Sequence, residues 1–320
     1  SNTLIGGNAG DALTDADFNT AVGMGALSSD TLGAENTAIG YLALNQSNSS
    51  TATNAYNTAV GSRAGASVTT GVEDTLIGGL AGDALTTGQY NVALGSLALS
   101  SDTKGNTSTA IGRAALQNQN FTTSTSTYNV AVGYNAGVQV TTGQVNTIVG
   151  ALAGDAITTG DYNVVLGVSA LGANTASNKN TAIGSNVMVN FNVTTDSDSF
   201  NTAVGYESAK NLTTGALNTL YGAAVGDALT DADRNVAMGY AALSQDTLGS
   251  RSTALGYGSL GSQNHSTATD TYNTAVGYAS GNSISTGVQN TIVGGLAADS
   301  LTVGIHNVAL GYASLTSDTK

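Results

Sequence analysis

Along its whole length the chain repeats one alternation: a polar residue, a β-branched one, a small or apolar one, a larger apolar one, then glycine. Written [Asn/Asp/Ser]-[Thr/Val]-[Ala/Leu/Ile/Val]-[Val/Ile/Leu/Met/Tyr]-Gly, the motif occurs eighteen times. It ends at Gly6, Gly23, Gly40, Gly61, Gly78, Gly95, Gly112, Gly133, Gly150, Gly167, Gly184, Gly205, Gly222, Gly239, Gly256, Gly277, Gly294 and Gly311. Successive side chains of an extended strand point to opposite faces, so Asn19 and Ala21 share one face while Thr20 and Val22 share the other. The glycine that follows permits a sharp bend. A second short apolar run, such as Ala-Leu-Ser or Ala-Leu-Thr, precedes a turn sequence such as Thr-Thr-Gly, and the unit reads as two strands and two turns. A helical hairpin does not fit a 17-residue unit with several glycines and many β-branched residues.

The motif spacings run 17, 17, 21, 17 and then repeat without exception, so four motifs make a super-repeat of 72 residues. Its copies are 1–72, 73–144, 145–216 and 217–288, with a partial copy at 289–320. The first coil carries a bulky third residue (Leu4, Leu76, Ile148, Leu220, Ile292), and the third coil carries the four extra residues. Units related by so regular a repeat stack in parallel and line up like residues in ladders. The expected fold is therefore all-β: a parallel β-solenoid, or β-roll, of about 18 coils, continuous over 1–320. At a strand spacing of roughly 4.8 Å this makes a rod of roughly 85 Å. Proline is absent because each coil must donate its ladder hydrogen bonds. Alanines such as Ala59 and Ala131 predict close approach to a backbone, and a thin, alanine-rich coil buries little per chain, which favours association into a bundle. The final Ser-Asp-Thr-Lys repeats residues 101–104, where the chain continues, so a segment of a longer protein is expected.

Composition narrows the function. Only 9% of residues are charged, against about a quarter in typical domains, while 41% are hydrophobic, so solubility rests on Asn, Ser and Thr. A net charge of −13 opposes nucleic acid and anionic membranes, and eight scattered Lys and Arg form no basic stripe. No apolar run approaches the roughly 20 residues of a membrane helix. Without cysteine, stability must come from backbone pairing and packing.

Candidate chemistry is sparse, and no cofactor is implied. His265 and His306 are the only imidazoles and vary between copies, which reads as surface decoration. Asp11, Asp83, Asp155, Asp227 and Asp299 recur five residues after the first-coil glycine. Asp30, Asp102, Asp246 and Asp318 recur seven after the second-coil glycine, with Asn174 in the remaining copy. Oxygen ligands suit calcium, so these are weak calcium candidates; turn capping by Asp and Asn is the favoured reading. Gly-Gly-Leu-Ala-Gly-Asp at 78–83 looks like a phosphate loop but lacks the following Lys-Ser/Thr, and reads as a coil bend. The variable third-coil loops are the best candidates for surface contact. They end in Tyr56, Tyr128, Phe200 and Tyr272 and carry Asn-x-Ser/Thr at Asn48, Asn120, Asn192 and Asn264, the acceptor pattern for N-glycans. The plain alternative is a solvated bulge inherited from one ancestral loop.

The runs Asn-Thr-Ala-Val-Gly-Tyr-Asn-Ala-Gly, Asn-Thr-Ala-Ile-Gly-Tyr-Leu-Ala-Leu and Asn-Val-Ala-Leu-Gly-Tyr-Ala-Ser-Leu resemble the head repeats of YadA-like trimeric autotransporter adhesins. They look still more like the Asn-Thr-Ala-Val-Gly-Tyr repeats of phage tail-fibre proteins. The resemblance covers the whole chain and implies a left-handed parallel β-roll, a side-by-side homotrimer, and display outside a cell or on a virion. The adhesin coil is shorter than 17 residues, and handedness and trimerisation rest on the resemblance alone. The resulting expectation is a non-enzymatic extracellular fibre, the shaft of a phage tail fibre or similar appendage serving host attachment. Its partners would be copies of itself, side by side or end to end, and a cell-surface glycan or receptor. The alternative is a bacterial adhesin or carbohydrate-binding head that uses the third-coil loops. An ice-binding solenoid would need Thr-x-Thr on every coil, and a glycan-degrading one would need clustered carboxylates.

Overall fold

The computed structural model describes residues 1–319. The chain is a parallel β-solenoid of eighteen coils, and no helix occurs among the described residues. It forms two compact units, Ser1–Asp161 and a second beginning at Tyr162, with nine coils each; the division falls inside the third 72-residue repeat. Each motif supplies one three-residue strand, and neighbouring strands within a unit pair in parallel and in register. Thr58, Ala59 and Val60 face Thr75, Leu76 and Ile77 in the first unit. In the second, Thr253, Ala254 and Leu255 face Thr274, Ala275 and Val276. At about 4.8 Å per coil, nine coils stand roughly 40 Å tall.

The expected alternation holds. Asn19 and Ala21 are buried, and Thr20 and Val22 lie on the outer face. Ala59 and Ala131 are fully buried, as the close-approach reading requires. The motif glycine is required twice over. At Gly133, φ is 142°, and an added Cβ would stand 2.5 Å from the carbonyl oxygen of Gly150 in the next coil. The coils pack backbone on backbone there, and no side chain has room.

One expectation is corrected. The second apolar run is not a strand. After the glycine the chain passes through successive turns in which a leucine takes a left-handed backbone, as at Leu27 (φ 52°), Leu99 (φ 54°) and Leu116 (φ 50°). Such a backbone costs about 1–2 kcal/mol, and complete burial of the leucine side chain contributes about 2–3 kcal/mol, so burial prevails. Among the described residues further strand pairing is confined to second and third coils, where two-residue strands meet: Gly33–Ala34 with Thr53–Asn54, Gly105–Asn106 with Thr125–Ser126, Ser177–Asn178 with Ser197–Asp198, and Gly249–Ser250 with Thr269–Asp270.

The core trades volume between two places in the coil. Where the middle strand residue is bulky, the residue four after the motif glycine is small: a Cβ on Gly82 would meet Leu76 Cδ2 at 2.8 Å. Where the strand residue is alanine in second and third coils, as at Ala93 and Ala110, a buried leucine fills the other place, as at Leu99 and Leu116; in fourth coils, as at Ala131 and Gly137, both places are small. A position seven after the glycine adds Leu85 in the first coil and Val140 in the fourth.

Candidate functional site

The first residue of the motif builds a ladder inside the solenoid. Each buried asparagine accepts, on Oδ1, the backbone N–H of its counterpart in the next coil: Asn57 Oδ1 from Asp74 N (2.9 Å), Asn201 Oδ1 from Asn218 N (3.0 Å), Asn218 Oδ1 from Asn235 N (3.0 Å). In first, second and fourth coils its Nδ2 donates to the carbonyl fourteen residues on: Asn57 to Gly71 O (2.8 Å), Asn91 to Gly105 O (3.0 Å), Asn218 to Ala232 O (2.7 Å); in the third coil Asn36 Nδ2 is buried without a partner. One side chain thus satisfies a donor and an acceptor that would otherwise be buried unpaired.

Asp74 stands where the ladder calls for asparagine. Its Oδ1 accepts from Asn91 N (2.8 Å) and Asn91 Nδ2 (3.1 Å), but Oδ2 is buried without a partner. Burial pushes its carboxyl up to about 7, against the opposing hydrogen bonds from Asn91.

The second-coil aspartates are buried turn caps. Asp102 Oδ1 accepts from Gly105 N (3.0 Å) and Phe121 N (3.1 Å), and Oδ2 accepts from Gln119 Nε2 (2.6 Å). Gln119 also reaches Ser108 Oγ (2.8 Å) and takes a bond from Asn129 Nδ2 (2.9 Å). Asp246 repeats the arrangement with Gly249, His265 N and Gln263, and Asp30 repeats it with Gly33, Ser47 and Ser49. In the third repeat Asn174 takes the aspartate's place and buried Phe191 the glutamine's; Asn174 caps Ser177.

His265 requires a correction. It is buried rather than decorating the surface, its two ring nitrogens lack hydrogen-bond partners, and Nδ1 lies 3.6 Å from Asp246 Oδ1. It fills the inward place held by Phe121 in the second repeat. His306 is exposed as expected.

Of the first-coil aspartates, Asp11 is exposed, and Asp83, Asp155, Asp227 and Asp299 are half-buried. Partial burial raises the carboxyls of Asp83, Asp155 and Asp227 above their ordinary range. One buried oxygen of each of Asp83, Asp227 and Asp299 lacks a hydrogen-bond partner. Among the described residues no three His, Cys, Asp or Glu side chains converge as metal ligands, so the two aspartate sets are not brought together into a cation site.

The third-coil asparagines join a ladder of threonines on the outside. Asn120 Oδ1 accepts from Thr103 Oγ1 (3.0 Å), and Asn48, Asn192 and Asn264 accept from Thr31, Thr175 and Thr247. Asn48, Asn120 and Asn264 are exposed, and Asn192 is half-buried. The loop-ending aromatics belong to a wider column that sequence reading missed. In the first unit Phe18, Tyr56, Tyr90 and Tyr128 precede the ladder residue on every second coil, with Glu35, Glu73, Thr107 and Val145 between them. Tyr162, Phe200 and Tyr272 hold alternate-coil places in the second unit, where Arg234 and His306 take the other two, and all seven Phe and Tyr side chains are about half exposed or more.

A second column lies just after the motif glycine. In the second unit Tyr240, Tyr257 and Tyr278 stack coil upon coil, with ring centroids 5.5 and 5.3 Å apart. Beside it the outer strand face exposes Leu94 in the first unit and Leu166, Tyr221, Val236 and Met238 in the second.

Set against protein-family models, curated proteins and solved structures, the chain matches none of them. The functional reading therefore rests on these ladders and surfaces.

Proposed function

We propose that this chain is a shaft segment of an extracellular structural fibre, of the kind phages carry as tail fibres, which holds a binding tip towards a host surface. The observation that carries the reading is the dual ladder. Within each unit successive motifs pair their backbones and, in most coils, an internal asparagine, an investment that yields stiffness, and among the described residues no three His, Cys, Asp or Glu side chains converge. The buried carboxylates that recur are spent on capping turns, which favours a non-enzymatic role. Self-association side by side, as three chains, is favoured by the apolar side chains on the outer strand face, since contiguous exposed apolar surface commonly marks a contact. Native mass together with electron microscopy tests this. The expected result is a thin rod of three times the chain mass; a compact monomer overturns it.

A second reading, adhesion to a glycan or receptor through the third-coil loops, draws support from the alternate-coil aromatics that include Tyr56, Tyr128, Phe200 and Tyr272. Replacing the loops by 17-residue coils separates the two readings. Lost attachment to cells with the fold retained would favour adhesion, and retained attachment would leave the loops as spacers.

A further inference from the structure

The column after the motif glycine holds tyrosine in seven coils, and where three follow one another their rings stack with interplanar angles of 14–19°. In the first unit the column is interrupted. After Tyr41 come Ser62, Gly79 and Ser96 on three consecutive coils before Arg113. A cavity of about 400 Å³ opens there, lined by Tyr41, Ser62, Arg63, Gly79, Leu80 and Ser96. Three vacant coil places span roughly 14 Å along the axis, enough for one or two sugar rings.

We propose that this notch binds an acidic saccharide, a pyranose carrying a carboxylate, in the space of the missing tyrosines. Tyr41 closes one end of the notch, and a six-membered sugar ring is about the size of the phenol that stacks on such a tyrosine in the second unit. The apolar C–H face of a pyranose packs on an aromatic face as the neighbouring ring does there. Leu80 gives an apolar floor, and Ser62 and Ser96 supply hydroxyls that donate to and accept from sugar hydroxyls. The charge preference comes from Arg63. It is exposed and forms no salt bridge among the described residues, although Asp83 feels its field. Its guanidinium is the fork that a carboxylate engages through two hydrogen bonds. The notch is separate from the third-coil loops and does not depend on the fibre reading.

The column also provides the test. An added Cβ at Gly79 meets nothing within 4 Å, and φ there is outside the left-handed range, so Gly79→Tyr rebuilds the wall in a position that accepts tyrosine elsewhere. The probes are a trisaccharide ending in glucuronic acid and its glucose-ended counterpart, followed by saturation-transfer NMR and titration with the whole chain. The expected results are tighter binding of the acidic sugar, its loss in Gly79→Tyr with unchanged circular dichroism, and about tenfold weakening in Tyr41→Ala. In Arg63→Gln the two sugars should bind alike, since a hydrogen bond to a charged group accounts for about tenfold. Equal binding of both sugars by the native chain, undiminished binding in Gly79→Tyr, or no saturation transfer at millimolar acidic sugar overturns the proposal.

Discussion

Asp74 offers the sharpest quantitative test of the internal ladder. Its neighbours Asn57 and Asn91 each use an amide nitrogen to bond a carbonyl fourteen residues on, and the matching carbonyl for Asp74 belongs to Gly88. A carboxylate oxygen has no proton to offer that carbonyl; a protonated carboxyl does. The raised pKa therefore has a structural meaning, because the fold selects the neutral acid. The folded carboxyl releases its proton at about 7, against an ordinary value of 3.8. That difference corresponds to about 4 kcal/mol of preference for the neutral acid in the folded chain.

The sign follows from linkage. Below pH 4 the group is protonated in folded and unfolded chains alike, and nothing is lost. Between 4 and 7 the folded chain holds a proton that the unfolded chain has released, so stability falls as pH rises. Above 7 the full cost of about 4 kcal/mol is present. Asp74→Asn restores the amide donor and removes the titration. The stability difference between variant and parent isolates this one group, since other carboxylates cancel. The measurement is opening free energy from hydrogen exchange of amides around this coil, above all Asn91 N, at pH 4, 6 and 8. The expectation is near equality at pH 4 and an advantage for the variant that grows to about 4 kcal/mol at pH 8. A difference that stays flat with pH, or a variant less stable at pH 8, would refute the reasoning.

Three further outcomes follow from the same geometry. Asn218→Ala strands the buried N–H of Asn235 and the carbonyl of Ala232, and exchange protection in that coil should fall by about 2–4 kcal/mol. Gly133→Ala drives a Cβ into the Gly150 carbonyl, and limited proteolysis should cut near this coil in the variant and spare the parent. Gln119→Phe alone leaves Asp102 without its side-chain donor and should destabilise by about 1–3 kcal/mol. Pairing it with Asp102→Asn copies the Asn174 and Phe191 combination and should recover most of that loss in a double-mutant cycle.

Much of this architecture was legible from the letters. A two-residue alternation fixes which side chains share a face, so Asn19 and Ala21 could be put together without coordinates. An unbroken repeat with no proline left parallel stacking as the natural arrangement. What could not be read was the conformation of three-residue runs. Ala-Leu-Ser has no periodicity long enough to tell a strand from a chain of left-handed turns, and the turns prevail only because burial of Leu27 and its counterparts outweighs their backbone cost. His265 is illegible for a related reason: variation between copies suggests exposure, whereas this place faces inward. The inward position holds Phe121 or His265 beside the same buried Asp–Gln pair. The motif asparagine carries no role in the sequence reading beyond solubility, although its recurrence at one register is the available sign of a buried ladder.

The ladder also explains why the sequence repeats at 72 residues when the backbone repeats at nearly every coil. Backbone and asparagine pairing ask the same of each coil and alone would favour a uniform 17-residue unit. The core asks for something different. First coils bring two large side chains, Leu76 and Leu85. In the same repeat the second and third coils bring Leu99 and Leu116 with the buried Asp102–Gln119 pair, and the fourth coil brings Val140 beside two small residues, Ala131 and Gly137. A bulky residue at Gly137 would meet Ile148 of the following first coil, whose Cδ1 would lie 2.9 Å from an added Cβ. Small fourth coils are thus the room into which large first coils pack, and the order cannot be permuted without creating a clash at one junction and a void at another. The 72-residue period is the shortest stretch over which both requirements, identical edges and complementary volumes, close on themselves.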